Sequence, residues 1–166
     1  MIVHFKQKTN VTCGAACYRM MIGNITEKQA CDEVKTTKMG TYTSNVYKAL
    51  LNRFGKDKVG IVSLNTDFSE YLKWLNLNST GRMLYLGCDY VNRPYGGGKG
   101  RDKHRYHAIL VSNGMIYDPS EDCPLPVESY FHTFNKKMII EQMILVDLWL
   151  TFYKKLIDYF RNDTCK

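Results

Sequence analysis

The hydrophobic pattern of the chain changes its period near residue 82, and this change limits the folds that the chain can adopt. Upstream, apolar residues recur at helical spacing and predict four helices, over 13–22, from about Thr26, over about 43–54 and from Asp67. Downstream, alternating or continuous apolar runs predict strands, "RMLYLGCDYV" (82–91), "YHAILVS" (106–112), "MIYD" (115–118) and "KMIIEQMILV" (137–146). Asn113-Gly114 is a two-residue hairpin signal, so the strands are expected to be antiparallel. Helices followed by such a sheet predict an α+β fold.

The length and the cysteines place further limits on the chain. With 166 residues and no internal repeat, residues 1–166 are expected to form a single domain. The first residues lack the apolar core of a secretory signal, so the six cysteines are expected to be free thiols in the cytoplasm. The most apolar run, 138–152, is too short to span a membrane and is interrupted by Glu141, Gln142 and Asp147. We therefore expect no stable membrane insertion, and a final amphipathic helix over 147–160 that packs on the core.

The stretch "QKTNVTCGAACYRMMIG" (7–23) places a cysteine at the predicted start of the first helix. The N-terminus of a helix and a nearby imidazolium both lower the pKa of a thiol, so Cys13 is a candidate nucleophile. Thr12 is the expected N-cap. The alternative interpretation is that Cys13 only packs, because buried cysteines are common in protein cores.

A base for Cys13 is predicted from the register of the hairpin. His107 opens the apolar strand "HAILV", and a turn at Asn113-Gly114 brings the end of the next strand back beside it. Asp118 closes that next strand and is therefore expected to contact His107, fix its tautomer and stabilise its charged form. The other histidines, His4, His104 and His132, lack this placement at the start of a buried strand.

The two segments "QKTNVTCGAACYRMMI" and "HAILV…MIYDPS" resemble the papain-like cysteine peptidases of the bacteriocin-processing, double-glycine leader peptidase type. The resemblance covers residues 7–22 and 107–119. It implies a papain-like fold, in which N-terminal helices with the nucleophile at a helix start pack on an antiparallel sheet. It also assigns the catalytic roles: Gln7 is the oxyanion-hole donor, Cys13 the nucleophile, His107 the general base and Asp118 its orienting partner.

The function implied by this resemblance is hydrolysis of a peptide or isopeptide bond without a cofactor, after Gly-Gly in the family's habit. Known leader peptidases are usually fused to a membrane transporter, whereas this chain ends at Lys166 without one, so a stand-alone enzyme is expected. The same triad also serves acyl transfer and glutamine deamidation, and the sequence does not separate these reactions from hydrolysis.

The charge of the chain allows a different class of function. The net charge of +7 favours anionic partners, and the loop 92–105 contains four glycines and five lysines or arginines. Arg101, Lys103 and Arg105 in this loop are candidate residues for guiding an acidic protein or peptide substrate to Cys13. An inactive domain that binds an acidic protein or nucleic acid is the alternative. Nucleic acid is not favoured, because the basic residues are spread through the chain and no recognised motif is present.

A zinc site is a further alternative for the same residues. Cys13 and Cys17 are spaced C-x3-C, and His104 and His107 are spaced H-x2-H, which together supply four zinc ligands. A gap of three residues between cysteines on a rigid helix is less usual than a gap of two. We therefore predict no metal, so that Cys13 remains available as a nucleophile.

Overall fold

A computed structural model of the protein describes residues 2–91, 106–134 and 137–147. Within these ranges the helices are α1 Cys13–Ile22, α2 Glu27–Glu33, α3 Thr43–Phe54, α4 Phe68–Asn78 and α5 Val127–Phe134. The strands are β1 Val59–Asp67, β2 Arg82–Val91, β3 Tyr106–Ser112, β4 Met115–Tyr117, β5 Leu125–Pro126 and β6 Lys137–Asp147. The predicted α+β class, with N-terminal helices and an antiparallel sheet, is confirmed. The predicted final helix, beyond Asp147, lies outside the described residues.

The helices begin and end at the residues whose chemistry favours it. Thr26 forms a capping box with Gln29 at the start of α2, and the Asp67 carboxylate accepts from the Ser69 amide at 2.9 Å at the start of α4. Gly55, with φ of 85°, ends α3 in a conformation that favours glycine. The expected cap of α1 is only partly correct: Thr12 precedes the helix, but its hydroxyl donates to the Thr9 carbonyl and accepts no bond from the helix.

The six strands form one antiparallel sheet in the order β1-β6-β2-β3-β4-β5. The predicted hairpin joins β3 to β4, where Ser112 pairs with Met115 and both turn residues, Asn113 and Gly114, have positive φ. β4 ends at Tyr117, one residue before the predicted end. β1, β5 and α5 were not predicted.

The sheet is a middle layer with helices on both faces. Along β3, Ile109 and Val111 belong to the apolar cluster under α4 and α5, whereas Ala108 and Leu110 belong to the cluster under α1, α2 and α3. The alternation of a strand thus serves two cores. In the described part of the chain, no helix has the length and apolar character needed to cross a membrane.

Candidate active site

Cys13 is the first residue of α1 and is half-buried where this helix meets β3. The close approach depends on the next residue. A Cβ on Gly14 would lie 2.8 Å from the Thr41 Cβ, closer than packed carbon atoms come, and 3.1 Å from the Tyr85 hydroxyl, which is a tight contact. Glycine therefore allows α1 to approach the sheet here, and the thiol is held at the positive end of the helix dipole.

The His107 imidazole lies beside the Cys13 thiol, close enough to influence its ionisation. Burial alone would raise the pKa of Cys13. The hydrogen bond and positive charge of His107, together with the backbone amides of Ala108 and Gly14, outweigh burial, so the pKa of the thiol is lowered from 9.0. The site therefore stabilises a thiolate beside an imidazolium.

His107 is held from its other side by Asp118. Nε2 of His107 donates to Oδ1 of Asp118 at 2.7 Å, which leaves Nδ1 as the ring nitrogen available to Cys13. Burial lowers the pKa of His107, but the hydrogen bonds and charges of Asp118 and Cys13 more than compensate and raise it from 6.5 to about 9. The hairpin brings the two residues together as expected, although the register of β3 and β4 continues to Ile109 opposite Asp118, so the contact with His107 is diagonal.

Asp118 is almost completely buried, with 2% of its surface exposed, and its carboxylate accepts further hydrogen bonds. The amide and hydroxyl of Ser120 donate to Oδ1 at 2.8 and 2.7 Å, and the Tyr130 hydroxyl donates to Oδ2 at 2.6 Å. Burial raises the pKa of Asp118, but the hydrogen bond and charge of His107, with Tyr130 and Ser120, lower it well below 3.8. The carboxylate is thus fixed as an anion.

Two of these supporting residues were missed by the sequence analysis. Ser120 follows Asp118 by two residues, the spacing of an Asx turn, so a local signal for it was present in "DPS". Tyr130 lies on α5, a helix that was not predicted, and nothing near it in the sequence points to Asp118. Only packing of α5 on the other face of the sheet brings its hydroxyl to the carboxylate.

The N-terminal segment is tied to the same corner of the molecule. The backbone N–H of Gln7 donates to the Pro119 carbonyl at 2.8 Å, and Nε2 of His4 donates to the backbone carbonyl of Asp118 at 3.0 Å. Oε1 of Gln7 is buried and has no hydrogen-bond partner in the described part of the chain. Gln7 is not among the residues that line the cavity beside Cys13.

Beside Cys13 and His107 lies a cavity of about 650 Å³, a size typical of ligand sites. Its walls come from the N-terminal loop and α1, from the segment before α3, and from β1, β2, β3 and β6. The residues lining it are Asn10, Val11, Cys13, Met39, Gly40, Thr41, Tyr42, Thr43, Ser63, Asn65, Tyr85, Gly87, Tyr106, His107, Ala108, Glu141 and Gln142. The Cys13 thiol and the His107 imidazole therefore face the same cavity.

Of the remaining candidate residues, Cys17 is the one that lies within the described ranges. Arg101, Lys103 and Arg105, and His104 of the zinc hypothesis, lie outside the described residues. Cys17 is fully buried, and burial raises its pKa well above 9.0. Among the residues that the structure describes, no three His, Cys, Asp or Glu side chains are grouped so as to hold a metal ion.

Comparison with known proteins gives structural neighbours but no sequence relatives. No family model matches the chain, and no curated protein matches its sequence. A double-glycine-motif protease from an AMS/PCAT transporter, crystallised with the leader peptide, matches with a TM-score of 0.52 and 15% identity over 88% of this chain and 90% of the other. The peptidase domain of Streptococcus ComA, a bifunctional ABC transporter of a quorum-sensing pathway, matches with a TM-score of 0.51 and 18% identity, over 89% and 99%. The predicted papain-like fold is thereby confirmed.

Proposed function

We propose that this protein is a papain-like cysteine peptidase, in which Cys13 is the nucleophile, His107 the general base and acid, and Asp118 the residue that orients His107. The observation that carries the proposal is the series of Cys13, His107 and Asp118: the thiol and the imidazole line one cavity, and His107 is hydrogen-bonded to Asp118. A core cysteine needs no such series, whereas a nucleophile needs a base and a group that orients the base. The fold shared with two peptidase domains supports the same assignment.

The chemistry follows from the ionisation of the pair. The Cys13 thiolate attacks the carbonyl carbon of the scissile bond, and a tetrahedral oxyanion forms. The His107 imidazolium then gives its proton to the leaving amine, which leaves the acyl group on sulfur as a thioester. His107, now neutral, takes a proton from water, whose oxygen attacks the thioester carbon, displaces the Cys13 thiolate and releases the acid, which restores the thiolate beside the imidazolium. Asp118 remains ionised throughout, because it stabilises the imidazolium without accepting its proton.

The oxyanion is assigned two donors. The backbone amide of Cys13 is one, because it lies at the start of α1, where amides have no partner within the helix. The Gln7 side chain is the other. The backbone amide of Gln7 is bonded to the Pro119 carbonyl, next to Asp118, which holds this segment near the candidate catalytic residues. The donor to the oxyanion is the Nε2 group of Gln7, because a carboxamide oxygen can only accept hydrogen bonds.

The substrate class that we propose is a peptide or a protein segment in extended form. One structural neighbour was crystallised with a leader peptide, and the cavity beside Cys13 is large enough for several residues. Cleavage after small residues is expected, because one structural neighbour is a double-glycine-motif protease and the bulky side chains of Tyr42 and Tyr85 take up part of the cavity wall.

The test is to incubate the protein with a peptide library and identify the products by mass spectrometry. The library is a bacterial proteome digested with a glutamate-specific protease, and the comparison is between wild type, Cys13→Ala and Cys123→Ala. Cys123 is an exposed free thiol, so its replacement is the matched control. We expect new peptide ends in the wild type and in Cys123→Ala, and none in Cys13→Ala.

Two outcomes would contradict this proposal. Cleavage that persists in Cys13→Ala would exclude Cys13 as the nucleophile. The second is a set of peptides that stay uncleaved but are modified only when Cys13 is present, with glutamine converted to glutamate or joined to an amine. The reaction would then be deamidation or acyl transfer instead of peptide hydrolysis, because these reactions use the same nucleophile and base.

A further inference from the structure

β6 is irregular at Glu141, in the wall of the cavity. Where β6 pairs with β2, Gly87 is opposite Gln142, but the next residue, Cys88, is opposite Ile140. Glu141 is therefore an extra residue without a partner in β2, which defines a β-bulge. Bulges of this kind are common next to active sites, where they redirect a side chain.

The ladder between β6 and β1 is interrupted at the same point. Ser63 is opposite Gln142, and the next pair joins Thr66 to Ile140. Two residues of β1, Leu64 and Asn65, therefore stand against the single residue Glu141. Within the interruption, Asn65 has a φ of 60°, a conformation that residues other than glycine rarely adopt. The pairing of β6 is thus irregular with both of its neighbouring strands at Glu141, which indicates that the fold places this residue in a particular position.

The bulge changes which way the side chains of β6 face. Ile140 and Met143 belong to the same apolar cluster, although strict alternation would place residues three apart on opposite faces. The two residues between them, Glu141 and Gln142, both line the cavity on the other face. Without the bulge, only one of these two polar side chains would be on the cavity side.

The distance from Glu141 to the candidate catalytic pair follows from strand spacing. Gly87 in β2 is opposite Ala108 on one side, next to His107, and opposite Gln142 on the other. Two strand spacings make about 10 Å, the length of about three residues of an extended peptide. Gly87 lies between Ala108 and Gln142 in the cavity wall. A Cβ on Gly87 would be 3.0 Å from the Thr43 hydroxyl, so the absence of a side chain here leaves space in the cavity.

Glu141 is also the one carboxylate among the described residues that line the cavity, and no lysine or arginine is among them. It is half-buried and makes no ion pair or hydrogen bond within the described ranges. We propose that Glu141 determines specificity by binding a lysine or arginine side chain of the substrate, within about three residues of the scissile bond. This inference rests on the proposed peptidase function, and it concerns the cavity itself, whereas the hypothesis of an acidic substrate rested on the loop 92–105.

The test uses the cleaved peptides of the same proteome library, in which lysine and arginine remain internal. We expect these two residues to be enriched at one position within three residues of the cut, on one side of it. The best-cleaved sequence is then synthesised with lysine, with norleucine or with glutamate at that position. We expect kcat/KM for lysine to exceed that for norleucine about tenfold, which corresponds to about 1.4 kcal/mol.

Three variants assign this preference to one side chain. In Glu141→Gln the ratio of lysine to norleucine should fall to about one, since charge-assisted pairing is lost. In Glu141→Lys the preference should reverse in favour of glutamate, an outcome that only a folded enzyme can give. Glu70→Gln removes an exposed carboxylate on α4, on the other face of the sheet, and should keep the wild-type ratio.

The failures of the two proposals are distinguishable. Cleavage that requires Cys13 but shows equal rates for the three synthetic peptides overturns the role of Glu141 and leaves the peptidase function in place. A preference for lysine that survives in Glu141→Gln overturns it as well. Absence of any cleavage that requires Cys13 overturns both.

Discussion

At the scale of single residues, the reactivity of Cys13 is decided by a competition between burial and His107. Burial is the larger single influence and raises the pKa of the thiol, because a thiolate is poorly solvated inside a protein. The net lowering comes from the hydrogen bond and charge of His107, with help from the amides of Ala108 and Gly14. The thiol is therefore activated only while its partner is present.

The first prediction concerns this competition. In His107→Ala the burial of Cys13 remains but the compensating charge is lost, so its apparent pKa should rise from below 9.0 to above it. The measurement is the rate of alkylation of Cys13 by iodoacetamide as a function of pH, followed by mass spectrometry. Exposed Cys123 in the same molecule is the internal reference. Equal titration of Cys13 and Cys123 in the wild type would contradict the proposed ion pair.

At the scale of elements, the site depends on how closely α1 approaches the sheet. Gly14 is buried in the first turn of α1, against Thr41 and Tyr85, and has room for no side chain. Helix propensity favours alanine over glycine by about 1 kcal/mol, so intrinsic preference and packing oppose each other here. Packing should dominate, because overpacking a rigid interior costs about 1–3 kcal/mol.

The second prediction is that Gly14→Ala destabilises the protein by about 1–2 kcal/mol, although it replaces glycine in a helix. It should also slow alkylation of Cys13, since α1 must move away from β3. Urea denaturation gives the stability. Thr41→Gly removes the nearest contact, at 2.8 Å, so the double variant should recover part of the loss. Additive effects of the two substitutions would exclude the predicted clash.

At the scale of the whole molecule, the ionised site couples stability to pH. The pKa of Asp118 is lowered, so its carboxylate stabilises the fold above pH 3.8, and this contribution is lost as the pH falls. The pKa of His107 is raised, so its contribution is complete below pH 6.5 and is lost as the pH rises through about 9. The lowered pKa of Cys13 acts in the opposite direction. Since Cys13 gives up a proton where His107 binds one, the two contributions oppose each other as the pH rises.

The third prediction therefore concerns the acid side. Asp118→Asn should lower the free energy of unfolding by about 3 kcal/mol near neutral pH, because it leaves the buried His107 without its counter-charge. The difference from wild type should shrink as the pH falls below 3.8, where the carboxylate stabilises progressively less. Denaturation of both proteins at several pH values measures it.

A graded control accompanies this measurement. Tyr130→Phe removes one of the hydrogen bonds to Asp118 and should lower the free energy of unfolding by about 1 kcal/mol near neutral pH. This smaller difference from wild type should also shrink as the pH falls. A difference between wild type and Asp118→Asn that stays constant from neutral pH into acid would contradict the coupling.

The sequence by itself determined what short-range chemistry decides. The ends of α2, α3 and α4 follow from Thr26, Gly55 and Asp67, whose side chains or backbone freedom act within a few residues. The proximity of His107 and Asp118 was also predictable, since a two-residue turn brings the far ends of its two strands together. The roles proposed for these residues, and for Gln7, remain predictions.

Only the tertiary structure decided the features that join distant parts of the chain. β1 was missed because Gly60 and the irregularity near Asn65 interrupt its alternation, and its pairing with β6 connects residues some eighty positions apart. Tyr130 reaches Asp118, and Glu141 reaches the cavity, through packing and a bulge that have no local signal. The physical reason is that strand pairing and layer packing depend on surfaces formed by the whole chain, whereas caps and turns depend on their own neighbours.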